Sequence, residues 1–239
     1  MPLADLARTL LDTPRWVETR AMLLNGKAVV TGLSGDRRHF VAASTAWPLI
    51  GVVGRPEPAF IAGAAAEAAD DVTLLCAEEH ADHVATALPG WRRIGADIHA
   101  WPGGVPLPAA PSQTEARLLR PAELAMLRHV PRDLHEALLA ASAEAPVAGA
   151  LAGGAPVAFC YATGMTEALW DISIDTLEGY RRRGLAQKAV RLLAAVLSER
   201  GKWPVWGADD DNEASRKLAQ KMGFVACERL VLFTPAGRR

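Results

Sequence analysis

Hydrophobic and polar positions alternate most cleanly from Leu169 to Thr176, where Ile172, Ile174 and Thr176 fall on one face of an extended chain and Asp171, Ser173 and Asp175 on the other. This predicts a strand with one wet face. From Leu185 to Arg200 the period lengthens: Leu185, Ala189, Leu192 and Val196 recur at helical spacing with no Pro or Gly between them. That stretch predicts an amphipathic helix. Lys202 to Ala208 then reads as a short strand and Asp209-Asp210-Asp211-Asn212 as a polar loop. A second helix begins at Asn212, a good N-cap, with Glu213 in its first turn, Lys217 and Lys221 toward its end and Gly223 placed to stop it before Phe224.

The first hundred residues carry a similar order. Lys27 to Thr31 and His39 to Ala43 predict two strands joined by the turn Gly32 to Asp36. Strands over Leu49 to Val53 and Val72 to Ala77 alternate with helices over Pro58 to Ala69 and Glu78 to Leu88, and Gly90-Trp91 precedes a closing strand near Ile98. Strand, helix, strand, helix, Gly-aromatic, strand thus occurs twice, with Gly90-Trp91 in the place of Gly223-Phe224. The stretch Trp101 to Pro111 holds prolines and glycines that resist helix and sheet interior alike, so a linker is expected over 102–114 between domains 1–101 and 115–239. In the second domain Glu115 to Leu119 predicts a strand and Pro121 to Ala143 helices. Pro146 to Gly153 and Pro156 to Thr163 predict a hairpin across Gly153-Gly154.

Between the strand at Leu169 and the helix at Leu185 stands Tyr180-Arg181-Arg182-Arg183-Gly184-Leu185-Ala186. A helix opening after such a turn leaves its first N–H groups unpaired and carries a partial charge of about +0.5 there, which attracts an anion. Gly184 has no Cβ to obstruct a ligand, and three successive arginines supply charge-assisted contacts suited to a diphosphate or a ribose phosphate. A solvated helix entrance is the plain alternative for such a loop taken alone.

The chain of 239 residues is 50% hydrophobic with a formal net charge of −1, enough to bury a sizeable core and without a global bias toward nucleic acid. No apolar run is long and clean enough to span a bilayer, and Met1 to Asp5 shows no basic start, so a cytoplasmic protein is expected. Cys76, Cys160 and Cys227 lie in apolar runs without CxxC spacing and read as buried hydrophobes. His80 and His83 fall on one helix face, but no third ligand is in place, and no metal is expected.

Strand, Arg-x-x-Gly-x-Ala loop, helix, strand, Asn-x-x-Ser helix and Gly-Phe, in this order, resemble the acyl-CoA-binding half of the GNAT N-acetyltransferase superfamily over roughly Glu115 to Phe233. Asp-Ile-x-Ile-x-Thr before the arginines and Asn-x-x-Ser-x-x-Leu-Ala-x-Lys-x-Gly-Phe after them resemble a poorly characterised bacterial subgroup of that superfamily. The resemblance implies an α/β (α+β) fold with a mixed sheet flanked by helices, and the repeated order implies two tandem GNAT-like domains. The N-terminal one reads as degenerate, because Gly51 to Pro58 offers one arginine, two prolines without N–H donors and a carboxylate at the loop position.

Carried over position by position, the resemblance implies acetyl-CoA as co-substrate. Main-chain groups of Ile174 and Thr176 would pair with pantetheine, the segment Arg181, Arg182, Arg183, Gly184, Leu185 and Ala186 would hold the pyrophosphate, and Asn212 and Ser215 would lie near the thioester. Helix capping by Asn212 is the plainer role. Many family members carry Tyr where this chain has Ala219, which leaves water or Ser215 to protonate the departing thiolate. Tyr180, at the loop entrance, suits packing. An alkylammonium has a pKa near ~10, so a base helps the amine attack, and Asp175 and then Asp209 are the candidates. The acidic run at Asp209 to Asp211 reads alternatively as an attractor of cationic substrate or a solvated loop.

The expectation is therefore acetyl transfer to a primary amine of a small-molecule or peptide acceptor by direct attack. A non-catalytic acyl-CoA-binding or sensing module is the alternative. Neither nucleic acid nor membrane is expected as a partner, and monomer and homodimer both remain open.

Overall fold

The structure is a computed structural model describing residues 2–236. In chain order the first half holds α1 (Leu3–Ala7), α2 (Val17–Leu24), β1 (Ala28–Thr31), β2 (Phe40–Ser44), β3 (Leu49–Val53), α3 (Pro58–Glu67), β4 (Thr73–Ala77), α4 (Ala81–Ala87) and β5 (Arg92–Ala100). No helix or strand occurs between Ala100 and Ala116. There follow β6 (Ala116–Leu119), α5 (Pro121–Leu124), α6 (Arg132–Ser142), β7 (Val147–Ala152), β8 (Ala155–Met165) and β9 (Leu169–Thr176). The rest is α7 (Leu185–Ser198), β10 (Trp203–Asp209), α8 (Glu213–Met222) and β11 (Val225–Thr234).

These elements form two compact units whose boundary crosses the sequence more than once. One unit gathers the described residues up to 99 with 207–219 and those from 226 on. The other gathers 100–206 with 220–225.

In the first unit the strands run in the order β1-β2-β3-β4-β11-β5. β3 and β4 are parallel, as a strand-helix-strand connection through α3 requires, while β11 pairs antiparallel with β4 from Leu230↔Ala77 to Phe233↔Leu74. Strand alternation sends Val41, Ile50, Val52, Leu74, Cys76, Val231 and Phe233 to the face covered by α3 and α4. Phe40, Ala42, Leu49, Val53 and Leu75 point the other way, onto Leu6, Met22 and Leu23 of the N-terminal helices and Leu10 between them. The sequence pattern assigned nothing to α1 and α2, whose few residues carry no long period.

The second unit orders its strands β10-β9-β8-β7-β6. The hairpin of β7 and β8 turns at Gly153 and Gly154, whose φ values of 59° and 83° are the left-handed backbone that a two-glycine turn supplies at little cost. Register sets Ala116 opposite Ala150, Ala150 opposite Ala158, and Ala158 opposite Thr176. This row of small side chains lets α7 lie close to the sheet. The buried face of α7 is Leu185, Ala189, Val190, Leu193, Ala194 and Leu197. The predicted stripe kept Leu185 and Ala189, but Leu192 and Val196 are only half-buried: a helix this apolar offers two stripes, and docking selects one. On the opposite sheet face Leu119, Val147, Phe159 and Tyr161 pack with Leu124, Leu127, Val130 and Leu138 around α5 and α6. Phe224, from segment 220–225, meets Trp101 and Trp206 edge-on at 5.2 Å each.

No helix among the described residues is long and apolar enough to cross a membrane. Cys76 and Cys160 are buried as expected, but Cys227 is exposed, its thiol donating to the Ile98 carbonyl at 3.3 Å. It lies early in β11, where the strand is still solvent-facing.

Candidate active site

β9 is paired on one edge along most of its length and on the other over a short stretch. Its register with β8 runs from Trp170 to Thr176, whereas its parallel register with β10 covers only Leu169↔Trp203 to Asp171↔Val205. The Leu177 N–H donates to the Val157 carbonyl at 2.9 Å, in step with the β8 register. In an antiparallel pair, residues whose main-chain groups turn toward the neighbour alternate with residues that turn away. Asp175 and Ser173 therefore address β8, and Ile172, Ile174 and Thr176 direct their N–H and C=O groups to the outer edge, past the last β10 pairing. Ile174 and Thr176 stand where an extended ligand would add as a strand.

Beyond Thr176 the chain makes a short turn of 3-10 helix over Glu178–Tyr180 and reaches the arginines. Arg182 and Gly184 adopt left-handed backbone, φ 63° and 73°. At Gly184 this conformation is natural for glycine, and a Cβ there would point into open space. It breaks the chain's direction so that α7 begins at Leu185 with no side-chain cap on its first N–H groups. Arg181, Arg182, Arg183 and Gly184 are exposed, Leu185 is buried as the helix anchor, and Ala186 is half-buried. Two of the arginines are tied back: Arg181 Nε donates to the Thr176 carbonyl at 3.3 Å, and the Arg183 guanidinium lies over the Tyr180 ring at 5.3 Å. Behind the turn, Lys188 on α7 pairs with Glu115 at 2.9 Å. That pairing, together with the Ser112 hydroxyl, pulls the Glu115 carboxyl down to about 2.

The face of β9 that bears Asp171, Ser173 and Asp175 is half-buried rather than wet, because it belongs to the sheet face covered by α5 and α6. Asp171 accepts from the Thr163 hydroxyl, and burial pushes its carboxyl up to about 6. Asp175 accepts from the Tyr161 hydroxyl at 2.9 Å. No sequence pattern points to Tyr161, since only the β8–β9 register brings it across from Ser173 and one step from Asp175.

The remaining expected residues belong to the first unit. Asn212 Oδ1 accepts from the Ser215 N–H at 3.0 Å, so Asn212 caps α8 and Ser215 is its capped partner. In the acidic run Asp210 pairs with Arg229 at 2.9 Å, and Asp211 pairs with Arg92. Two of the three carboxylates thus pair with arginines at an exposed surface, as in a solvated loop. Asp209 is half-buried, and burial followed by the charges of Asp211 and Asp210 pushes its carboxyl up. Ala219 is fully buried in α8. His83 bonds to the Pro56 carbonyl at 2.7 Å, and no group of three metal-ligating side chains occurs among the described residues.

Residues 148–233, from β7 to β11, match the family model for GNAT acetyltransferase. Over that stretch the chain is similar to the GNAT acetyltransferases. No curated protein matches it. Among solved structures, a GCN5-related N-acetyltransferase-like protein from Streptococcus suis superposes with a TM-score of 0.67 at 17% identity, over 97% of this chain and 99% of that one. A putative GNAT-family acetyltransferase from Novosphingobium aromaticivorans gives 0.64 at 19% identity, over 94% and 97%. A tandem GNAT protein from the clavulanic acid biosynthesis pathway gives 0.55 at 16% identity, over 99% and 94%. At these identities the likeness is one of fold, and it extends over nearly the whole chain. The GNAT reading supports acyl transfer in general terms.

Proposed function

We propose that the protein transfers an acetyl group from acetyl-CoA to a primary amine, with the second unit holding the acyl carrier. The observation that carries this reading is the outer edge of β9, which leads through a left-handed glycine turn bearing three arginines to the uncapped start of α7. Pantetheine would align along Ile174 and Thr176, and Arg181 would exchange its bond to Thr176 for the pyrophosphate. Arg182, Arg183 and the N–H groups from Gly184 to Ala186 would complete the phosphate cradle.

The chemistry needs a neutral amine beside a polarised thioester. The nitrogen attacks the carbonyl carbon, the C–S bond breaks, the ammonium proton passes to a base and the thiolate leaves with its electron pair. Asp175 is the base this reading favours, and water protonates the thiolate. A carrier-binding module without turnover is the one other reading, because Ala219 supplies no acid at a position where the GNAT resemblance implies a phenol in many members.

Calorimetric titration with acetyl-CoA, followed by thiol release over a panel of amines, tests the proposal. Binding with amine-dependent release is expected; absence of binding overturns it, and binding without release moves the assignment to the non-catalytic module. In a double variant, Arg181→Glu with Gly184→Asp, acetyl-CoA affinity should fall by about 100-fold or more, since a charge-assisted phosphate contact is worth roughly 1.5–3 kcal/mol and the turn is strained as well.

A further inference from the structure

The molecule has just two tyrosines, and the one that does not border the arginine turn is unusually placed. Tyr161 is 6% exposed on β8, packed within the cluster of Leu119, Leu124, Val147 and Phe159 that joins the sheet to α5 and α6. Its hydroxyl reaches Asp175 Oδ2 at 2.9 Å. Burial, reinforced by the neighbouring carboxylate, pushes the phenol well above its ordinary ionisation range, so it stays protonated and acts as the donor. A buried phenol fixed on two sides by strand register has little rotamer freedom, and the carboxylate it holds inherits that order.

We infer that Tyr161 is a positioning residue for Asp175: its hydroxyl holds Oδ2, leaving Oδ1 of the half-buried carboxylate turned to receive an acceptor's amine. This rests on the reading of Asp175 as the base. It goes beyond that reading by giving the base a fixed orientation and a second residue on which turnover depends. The strand periodicity supports it. Asp175 presents its side chain to the α5–α6 face, while its neighbours Ile174 and Thr176 turn their main-chain groups to the open edge of the same strand. One strand end thus carries the base in its side chain and the carrier-pairing groups in its backbone.

The test uses the full chain labelled with [13Cζ]tyrosine, in which Tyr161 and Tyr180 give one resonance each and Tyr180→Phe assigns them. At neutral pH, Asp175→Asn should shift the Tyr161 resonance and leave Tyr180 in place. Adding n-butylamine as a primary-amine probe should shift Tyr161 in the wild type and not in Asp175→Asn. Acetyl transfer to n-butylamine at saturating acetyl-CoA should fall roughly tenfold in kcat in Tyr161→Phe, with the KM for acetyl-CoA unchanged. A Tyr161 resonance that ignores both Asp175→Asn and the amine overturns the inference, as does wild-type turnover in Tyr161→Phe. If Tyr161→Phe fails to fold, the Asp175→Asn spectra still decide. Calorimetry on the wild type reads the carrier assignment by itself, so failure to bind acetyl-CoA is distinguishable from failure of the tyrosine–aspartate pair.

Discussion

Asp171 lies on β9 beside Thr163 with its carboxyl half-buried, and burial raises its pKa to about 6 from an ordinary 3.8. Because the folded value exceeds the unfolded one, the native state holds the extra proton between about pH 4 and pH 6. The resulting stabilisation is fully present below the unfolded value and is lost as pH rises through the folded one. Asp171→Asn removes the titration while keeping the shape. Relative to wild type it should therefore gain about 1–3 kcal/mol of unfolding free energy between about pH 4 and about pH 8. Urea midpoints at the two pH values measure this, and an unchanged difference would show a well-solvated carboxylate. None of this was legible in the sequence, where Asp171, Ser173 and Asp175 read as a wet face: alternation says which residues share a face, not which helix covers it. The Asn212 cap was legible because capping is local, three residues from acceptor to donor. The Tyr161–Asp175 bond was not, because it depends on a β8–β9 register that only the folded hairpin fixes.

At the scale of elements, α7 is the lever that sets the arginine turn against β9, and the closeness of its packing comes from what the sheet lacks. Ala116, Ala150 and Ala158 are each at most 1% exposed and lie in one register row beneath it. Replacing the central one, Ala150→Leu, adds atoms where a close-packed interface has no room. Overpacking of this kind costs about 1–3 kcal/mol, to be read as a lower urea midpoint. Because the helix must shift to accommodate leucine, acetyl-CoA affinity should fall in the same variant although residue 150 is on β7, away from the turn. Unchanged affinity with lowered stability would show that the turn is held by its own left-handed residues rather than by the helix behind it. Most of these elements were predictable from periodicity and from Gly or Pro punctuation. The exceptions are instructive: α1 and α2 are too short for a period to emerge, and the stripe of α7 was misjudged because nearly all its positions are apolar.

For the molecule as a whole, the decisive feature is the chain's last strand. β11 takes its place between β4 and β5 in the first unit's sheet, and Val231 and Phe233 enter the core formed by Leu74, Cys76, Val84 and the α3–α4 face. Arg229 on the same strand pairs with Asp97 on β5 at 2.6 Å and with Asp210 at 2.9 Å, so β11 is fastened by charge as well as by apolar burial. The repeated strand-helix order along the sequence gives no hint of this, since a repeat implies that each half closes on its own last strand, whereas pairing across more than 150 residues depends on topology. A fragment of residues 1–101 therefore lacks the partner of β4, leaving a hydrophobic strand edge and an unfilled core. It should show neither a cooperative urea transition nor near-ultraviolet dichroism, while the full chain shows both. In the full chain, Phe233→Ala should cost about 3–5 kcal/mol as a buried aromatic lost from a core that cannot collapse around the void. A fragment that folds cooperatively alone, or a Phe233→Ala variant as stable as wild type, would mean that β4 is satisfied without β11 and that the first unit owes nothing to the chain's end.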